Sequence, residues 1–192
     1  IFAGEVDIRV IEEFRKQSIP VVLVNNYLDM DGLVCISADH YGGAVQATEY
    51  LCKLGHCKIG LLSGRFSPQV SEARIEGFVK TLAKYDIPVD DRFIADIEPA
   101  LEDGEEIMTR MLREVDRPTA FFCTNDTIAA GAMKAVTRAG LRVPEDIAII
   151  GFDDSYISRV VEPELTTVRI DAAKMGCLAM QTLFDLIAGM PV

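Results

Sequence analysis

Residues 140–154 read GLRVPEDIAIIGFDD and decide the fold class of this chain. A helix is expected to end at Gly140, because glycine readily takes the positive φ that follows a helix. The apolar run from Ile147 to Ile150 is too short for a helix and is typical of a strand buried on both faces. This strand ends at Asp153 and Asp154, and ligands of open α/β sheets bind at the carboxyl ends of strands. The stretch therefore predicts a parallel strand with carboxylates at a ligand-binding edge.

The rest of the chain alternates between short apolar runs typical of strands and apolar residues spaced three or four apart, which are typical of helices. Strands are predicted at residues 21–24, 33–37, 59–62, 93–94, 120–123 and 147–152, and helices at about 5–17, 41–54, 71–84, 107–115, 127–139 and 172–188. Strands that alternate with helices imply βαβ units and mostly parallel sheets. We therefore predict an α/β fold in which helices flank parallel sheets.

Composition narrows the function classes. The 192 residues carry a formal net charge of −11, which repels phosphate backbones, so this segment is not expected to touch DNA itself. Five dispersed cysteines favour reduced thiols in a cytoplasmic protein over disulfides or a zinc site. The start at Ile1 is not typical of a signal peptide, and we expect the chain to be a fragment of a longer polypeptide. No cofactor or metal is expected.

Several short motifs, in order, resemble the LacI/GalR family of transcription repressors over essentially the whole chain. Besides residues 140–154 they are Asp39-x-x-Gly42-Gly43-Ala44, Tyr50-Leu51-x-x-Leu54-Gly55-His56, Leu61–Gly64, Arg74-x-x-Gly77-Phe78, Thr124-Asn125-Asp126-x-x-Ala129-x-Gly131 and Pro163–Val168. The resemblance implies the effector-binding domain of a cytoplasmic repressor, with a two-lobed, periplasmic-binding-protein-like fold. It implies a carboxy-terminal lobe at residues 57–168 and a partial amino-terminal lobe at residues 1–56 and 169–192.

The same resemblance implies the partners. The effector would be a sugar, a sugar phosphate or a purine-like molecule bound between the lobes, and its binding would change lobe closure. Operator DNA would be bound by a helix-turn-helix headpiece that is absent from this chain. A homodimer is expected, with Val45 and Ala47 of one helix and Ala73 of the next as its candidate apolar surface; ordinary scattered surface residues are the alternative.

The main effector-site candidates, Arg74, Asn125 and Asp153, each lie just past a predicted strand or in the helix after it, and the resemblance implies that Arg74 and Asn125 contact the effector. Arg74 can fork onto a carboxylate, a phosphate or paired hydroxyls, although an exposed arginine on a solvated helix face is the simpler alternative. Asn125 offers both a donor and an acceptor, while Asp126 is expected to cap the following helix. Asp153 can accept ligand hydroxyls or N–H groups, and Asp154 is expected to make loop contacts.

Three further positions follow from the resemblance. Asn25 ends a strand where relatives often carry a polar effector contact. Ser37 and Ala172 match positions where relatives often place an aromatic side chain on the ligand. Two small residues there suggest a different or larger effector, and plain packing is the alternative.

Two other functions are compatible with parts of the sequence. An exported solute-binding protein of a sugar transporter would share the fold, but the free cysteines and the segment Val143–Asp146 favour the regulator. A glycosidase is disfavoured because adjacent residues such as Asp153 and Asp154 point to opposite faces of a strand. No nucleophile lies beside His40 or His56 as in a triad, and no dinucleotide fingerprint follows Gly43.

Overall fold

A computed structural model describes residues 1–4, 6–26, 28 and 30–190. Within these residues the chain forms eight strands and six α-helices, which confirms the α/β class. In chain order they are β1 (Phe2–Ala3), α1 (Ile8–Lys16), β2 (Val22–Val24), β3 (Val34–Ile36), α2 (His40–Lys53), β4 (Ile59–Gly64), α3 (Pro68–Lys84), β5 (Ile94–Ile97), α4 (Leu101–Met111), β6 (Ala120–Cys123), α5 (Asp126–Arg138), β7 (Ala148–Asp153), β8 (Thr166–Arg169) and α6 (Ala172–Ile187). Among them no helix is long and apolar enough to cross a membrane.

The chain divides into two compact units, Ile1–Asp39 with Asp171–Val192, and His40–Ile170. The first unit holds a parallel sheet in the order β1-β2-β3, with α6 against β2 and β3. Its small core gathers around Ile11, Val21 and Leu23.

The second unit holds a parallel sheet in the order β5-β4-β6-β7-β8. Side chains alternate across it, as the pleat of a strand requires. Leu62 and Phe121 face the core formed with α4 and α5, whereas Leu61 and Phe122 face the core formed with α2 and α3. The sheet is therefore covered by helices on both faces. Strands β2 and β7 lie in different sheets, as a two-lobed fold requires.

The boundaries of the units differ from the sequence-based lobes. The chain changes unit at Asp39/His40 rather than at residue 56/57, and at Ile170/Asp171 rather than at 168/169. Helix α2 belongs to the second unit because it packs directly against α3. A Cβ on Gly77 would lie 2.7 Å from the Tyr41 carbonyl oxygen.

The same packing removes a residue from the predicted subunit surface. Ala47 is 1% exposed and lies in the core that contains Leu51 and Phe78. Its apolar character serves the packing of α2 within this unit, so Ala47 is unavailable to a subunit interface.

Residues 166–169, for which the sequence predicted neither a strand nor a helix, form strand β8 beside β7. The β-branched run Thr166-Thr167-Val168 suits this edge position. Helix α3 begins at Pro68, three residues before its predicted start, since proline is tolerated in a first helical turn.

Candidate functional site

Three of the predicted effector residues lie at the carboxyl edge of the second unit's sheet. Asp153 is the last residue of β7, Asn125 follows β6, and Arg74 lies in α3, which follows β4. Because β4, β6 and β7 are neighbours in the parallel sheet, their carboxyl ends meet at one edge.

Arg74 is the centre of this edge. Its side chain is only 4% exposed, which excludes the solvated arginine that the sequence left open. The Nη2 atom lies 3.4 Å from Asp153 Oδ1 and 3.2 Å from His40 Nδ1, and Nη1 donates to the Thr124 carbonyl. Acceptors from a helix and from the ends of two strands therefore hold one buried guanidinium.

Two aromatic rings also hold the Arg74 guanidinium. Its central carbon lies 4.0 Å from the centre of the Phe152 ring and 5.0 Å from the centre of the Phe66 ring. A cation over an aromatic face is attracted by the ring quadrupole, and the attraction strengthens when water is excluded. The rings and the acceptors together fix both the plane and the rotation of the guanidinium.

The backbone at the end of β7 is strained. Asp153 has φ +116° and Asp154 has φ +54°, values that residues other than glycine rarely adopt. Strain of this kind persists only where the surroundings determine it, and it clusters at functional sites. Asp154 makes loop contacts as predicted, since its carboxylate lies 3.4 Å from Ser158 Oγ and 3.5 Å from Arg159 Nη2.

The Asp153 carboxyl group has an unusual proton affinity. Desolvation is the main cause that raises its pKa, to about 6; the negative charge of Asp126 also raises it, while Arg74 lowers it. The side chain is still 36% exposed. Water and ligands can therefore reach the Asp153 carboxyl group, although its surroundings disfavour the charged form.

Asn125 takes the helix-capping role that the sequence predicted for Asp126. Asn125 is the N-cap of α5, with its Oδ1 accepting from the Ile128 N–H at 2.8 Å. Its Nδ2 makes no hydrogen bond to the described residues and remains available as a donor. The prediction that Asp126 caps the helix was wrong, because its side chain points into the protein.

Asp126 instead fixes the loop that follows β7. The residue is 1% exposed, and its carboxylate accepts from the Ser155 N–H at 2.6 Å and from Thr167 Oγ1 at 2.5 Å. Glycine at position 151 leaves room for this carboxylate, because a Cβ there would lie 2.5 Å from Asp126 Oδ1. Asp126 thus connects α5, β8 and the segment after Asp153–Asp154.

The other three predicted residues lie in the first unit. Asn25 has φ +50°, and its Oδ1 accepts from the Ala38 N–H at 3.0 Å. Ser37 is exposed directly after β3, and Ala172 is exposed as the first residue of α6. Asn25 and Ser37 thus share the carboxyl edge of the first unit's sheet.

Sequence reasoning missed four contributors to the Arg74 surroundings: His40, Phe66, Thr124 and Phe152. Thr124 acts through its carbonyl, which no side-chain pattern reveals. His40 lies 34 positions before Arg74, and only the packing of α2 against α3 brings them together. Phe152 carried a signal, since it directly precedes Asp153 on a strand buried on both faces.

The raised pKa of Asp153 leads to a stability prediction. A carboxyl group with a higher pKa in the folded state than in the unfolded state makes stability fall as pH rises between the two values. Asp153→Asn mimics the protonated group and tolerates positive φ. We expect it to raise the free energy of unfolding at pH 7.5 by about 1 kcal/mol, after allowance for solvent screening.

Urea unfolding of the wild type and of Asp153→Asn between pH 3.5 and pH 7.5 is the measurement. The stabilisation should diminish as pH falls through about 6 and should vanish near the unfolded value of about 3.9. A variant that is less stable than the wild type at pH 7.5 would contradict this account.

Comparison with known proteins gives consistent matches. Residues 48–192 match the periplasmic binding protein-like domain family. The chain is 35% identical over 185 residues to the probable HTH-type transcriptional repressor ExuR of Bacillus subtilis, covering 96% of this chain and 56% of that protein. It is 39% identical over 150 residues to the HTH-type transcriptional repressor PurR of Haemophilus influenzae, covering 78% of this chain and 45% of that protein. The chain thus spans about half the length of the curated relatives it matches.

Solved structures agree. A regulatory protein of the LacI family from Chloroflexus aggregans superposes with a TM-score of 0.88 at 31% identity, covering 98% of this chain and 68% of that one. A LacI family transcriptional regulator from Enterococcus faecium with bound ribose superposes with a TM-score of 0.86 at 28% identity, covering 95% and 68%.

Proposed function

Because the chain belongs to the LacI family of regulators and to its periplasmic binding protein-like domain, we propose that it is the effector-binding domain of a transcriptional repressor. The observation that carries the proposal is the buried Arg74 joined to the accessible Asp153 carboxylate at the carboxyl edge of the sheet. The whole protein would be cytoplasmic, homodimeric and non-enzymatic, and a headpiece outside this chain would bind its operator DNA.

The second unit's edge suits a neutral polar ligand. Asp153 can accept hydroxyl or N–H groups, and Asn125 Nδ2 can donate. The charge of Arg74 is already offset by Asp153, so a phosphate at this point would compete with a carboxylate for the guanidinium. We therefore favour a sugar or a purine-like effector over a sugar phosphate, with Asn25, Ser37 and Ala172 as the first unit's candidate contacts.

The alternative of an exported solute-binding protein has less support. The relatives reported above carry the names of repressors and regulators, and the ribose in the Enterococcus faecium structure is bound to a protein described as a transcriptional regulator. A helix-turn-helix segment upstream of this chain in the parent gene would be the independent support for a repressor.

A ligand screen tests the proposal. D-ribose, D-glucose, D-glucuronate, a hexose phosphate, hypoxanthine and guanine are added to the chain, and the melting temperature is followed. A ligand at a hundred times its Kd stabilises the native state by about 2.7 kcal/mol. We expect Asp153→Asn to bind any such ligand at least about tenfold more weakly, since a hydrogen bond to a charged acceptor is lost.

The control is Glu114→Gln, which removes an exposed carboxylate after α4 and should leave binding unchanged. Asp153→Asn is also expected to be the more stable protein in the absence of ligand, so weaker binding could not be attributed to unfolding. Equal affinity of the wild type and Asp153→Asn would refute the proposed site.

A further inference from the structure

We infer that His40 is a positioning residue of the effector site, whose Nδ1 holds Arg74 so that Asp153 faces the ligand; this inference rests on the proposed function. His40 is 4% exposed. Its Nδ1 lies 3.2 Å from Arg74 Nη2 and 3.4 Å from Arg74 Nε. The imidazole nitrogen thus lies along one edge of the guanidinium fork.

This contact determines the tautomer of His40. Arginine carries only donors, and a neutral imidazole has one donor and one acceptor nitrogen. Nδ1 must therefore be the acceptor, with the ring proton on Nε2. A protonated imidazole would place two cations in contact and would direct an N–H group at the guanidinium donors.

The position of His40 explains why Arg74 makes only one contact with Asp153. A guanidinium and a carboxylate prefer a bidentate pair, yet only Nη2 reaches Asp153, at 3.4 Å. On the other side of the guanidinium, Arg74 Nη1 donates to the Thr124 carbonyl. Thr124 is itself held in place because its N–H donates to the Leu62 carbonyl at 2.9 Å. Without an acceptor at His40 Nδ1, Arg74 can turn to pair with both Asp153 oxygens, which would occupy the carboxylate that the ligand needs.

Two substitutions separate positioning from packing. His40→Asn places an amide oxygen near the position of Nδ1, whereas His40→Gln places its polar atoms near the position of Nε2. Both keep a polar side chain at the start of α2. A role in packing alone predicts similar effects for the two variants, and a role in holding Arg74 predicts that only His40→Asn retains function.

The first measurement needs no ligand. The chain has two histidines, so His56→Gln assigns the remaining imidazole ¹⁵N signals to His40. His56 is a suitable control because its Nδ1 contacts Thr119, just before β6, at 2.8 Å. We expect an unprotonated Nδ1 and a protonated Nε2 in His40, and a slowly exchanging Arg74 Nε–H signal in the wild type and in His40→Asn. Loss of that signal in His40→Gln is also expected.

The second measurement titrates D-ribose, D-glucuronate and hypoxanthine into the same proteins. A probe that binds the wild type should bind His40→Asn within about threefold and His40→Gln at least about tenfold more weakly. If His40→Gln binds the probe as tightly as the wild type while Asp153→Asn binds it weakly, the positioning role of His40 is refuted and the proposed site is not. Unchanged binding by Asp153→Asn would refute the proposed site. A proton on His40 Nδ1, or an Arg74 signal unaffected in His40→Gln, refutes the inference whether or not a probe binds.

Discussion

Replacing Gly131 by alanine is expected to lower the free energy of unfolding by about 3 kcal/mol, at the upper end of what overpacking costs. Helices α4 and α5 approach so closely there that a Cβ on Gly131 would lie 2.0 Å from the Leu101 carbonyl oxygen and 2.8 Å from the Glu105 nitrogen. Both are backbone atoms of α4, so relief requires the two helices to separate. Thermal unfolding followed by circular dichroism measures the change.

A matched glycine provides the control for this prediction. Gly176 lies inside α6, and a Cβ there would meet nothing within 4 Å. Alanine at that position should be neutral or should stabilise by about 0.5–1 kcal/mol, because alanine has the higher helix propensity. Hydrogen exchange, read separately for the two units, assigns each effect to its own helix. If Gly131→Ala and Gly176→Ala melted alike, the close approach of α4 and α5 would be wrong.

Asp126→Ala is expected to cost about 3 kcal/mol of stability. The substitution removes the acceptor of the Ser155 N–H and of the Thr167 hydroxyl, and each bond to a charged acceptor contributes about 1.5–3 kcal/mol. Asp126→Asn should cost less, because the amide keeps one oxygen acceptor. Urea unfolding at pH 7.5 is the measurement.

A double-mutant cycle with Thr167→Val isolates one of these bonds. The coupling between Asp126→Ala and Thr167→Val should exceed about 0.5 kcal/mol, the level at which neighbouring sites depart from additivity. Additive losses would mean that the Thr167 hydroxyl does not bond to Asp126. The removal of the Asp126 charge should also lower the pKa of Asp153, which it helps to raise.

The parts of the fold set by local pattern were predictable from the sequence. Strand β6 occupies residues 120–123 as predicted, and β7 begins and ends within one residue of its predicted bounds. Both are short apolar runs between clear helix signals, so burial on two faces leaves an unambiguous pattern. The family resemblance pointed to Arg74 and the strand-end position pointed to Asp153, and the structure brings the two side chains into contact.

The parts set by tertiary contacts were not predictable. Asn125 and Asp126 are both capping residue types, and only the partners of Asp126 at Ser155 and Thr167 decide which of them caps α5. The unit boundary at Asp39/His40 depends on α2 packing against α3, and no local signal in the α2 segment states which unit it joins. The contact of His40 with Arg74 was not predicted either, because it also depends on the packing of α2 against α3.

The positive φ values at Asp153 and Asp154 limit how the proposed effector site could be re-engineered. A library that varies Asp153 freely would consist mostly of destabilised proteins, because residues other than glycine adopt such backbone angles at a cost of about 1–3 kcal/mol. Useful diversity for new ligands therefore lies at Phe66, whose side chain is partly exposed beside Arg74, on a backbone of ordinary φ. Directed evolution of effector choice should begin there and keep the end of β7 fixed.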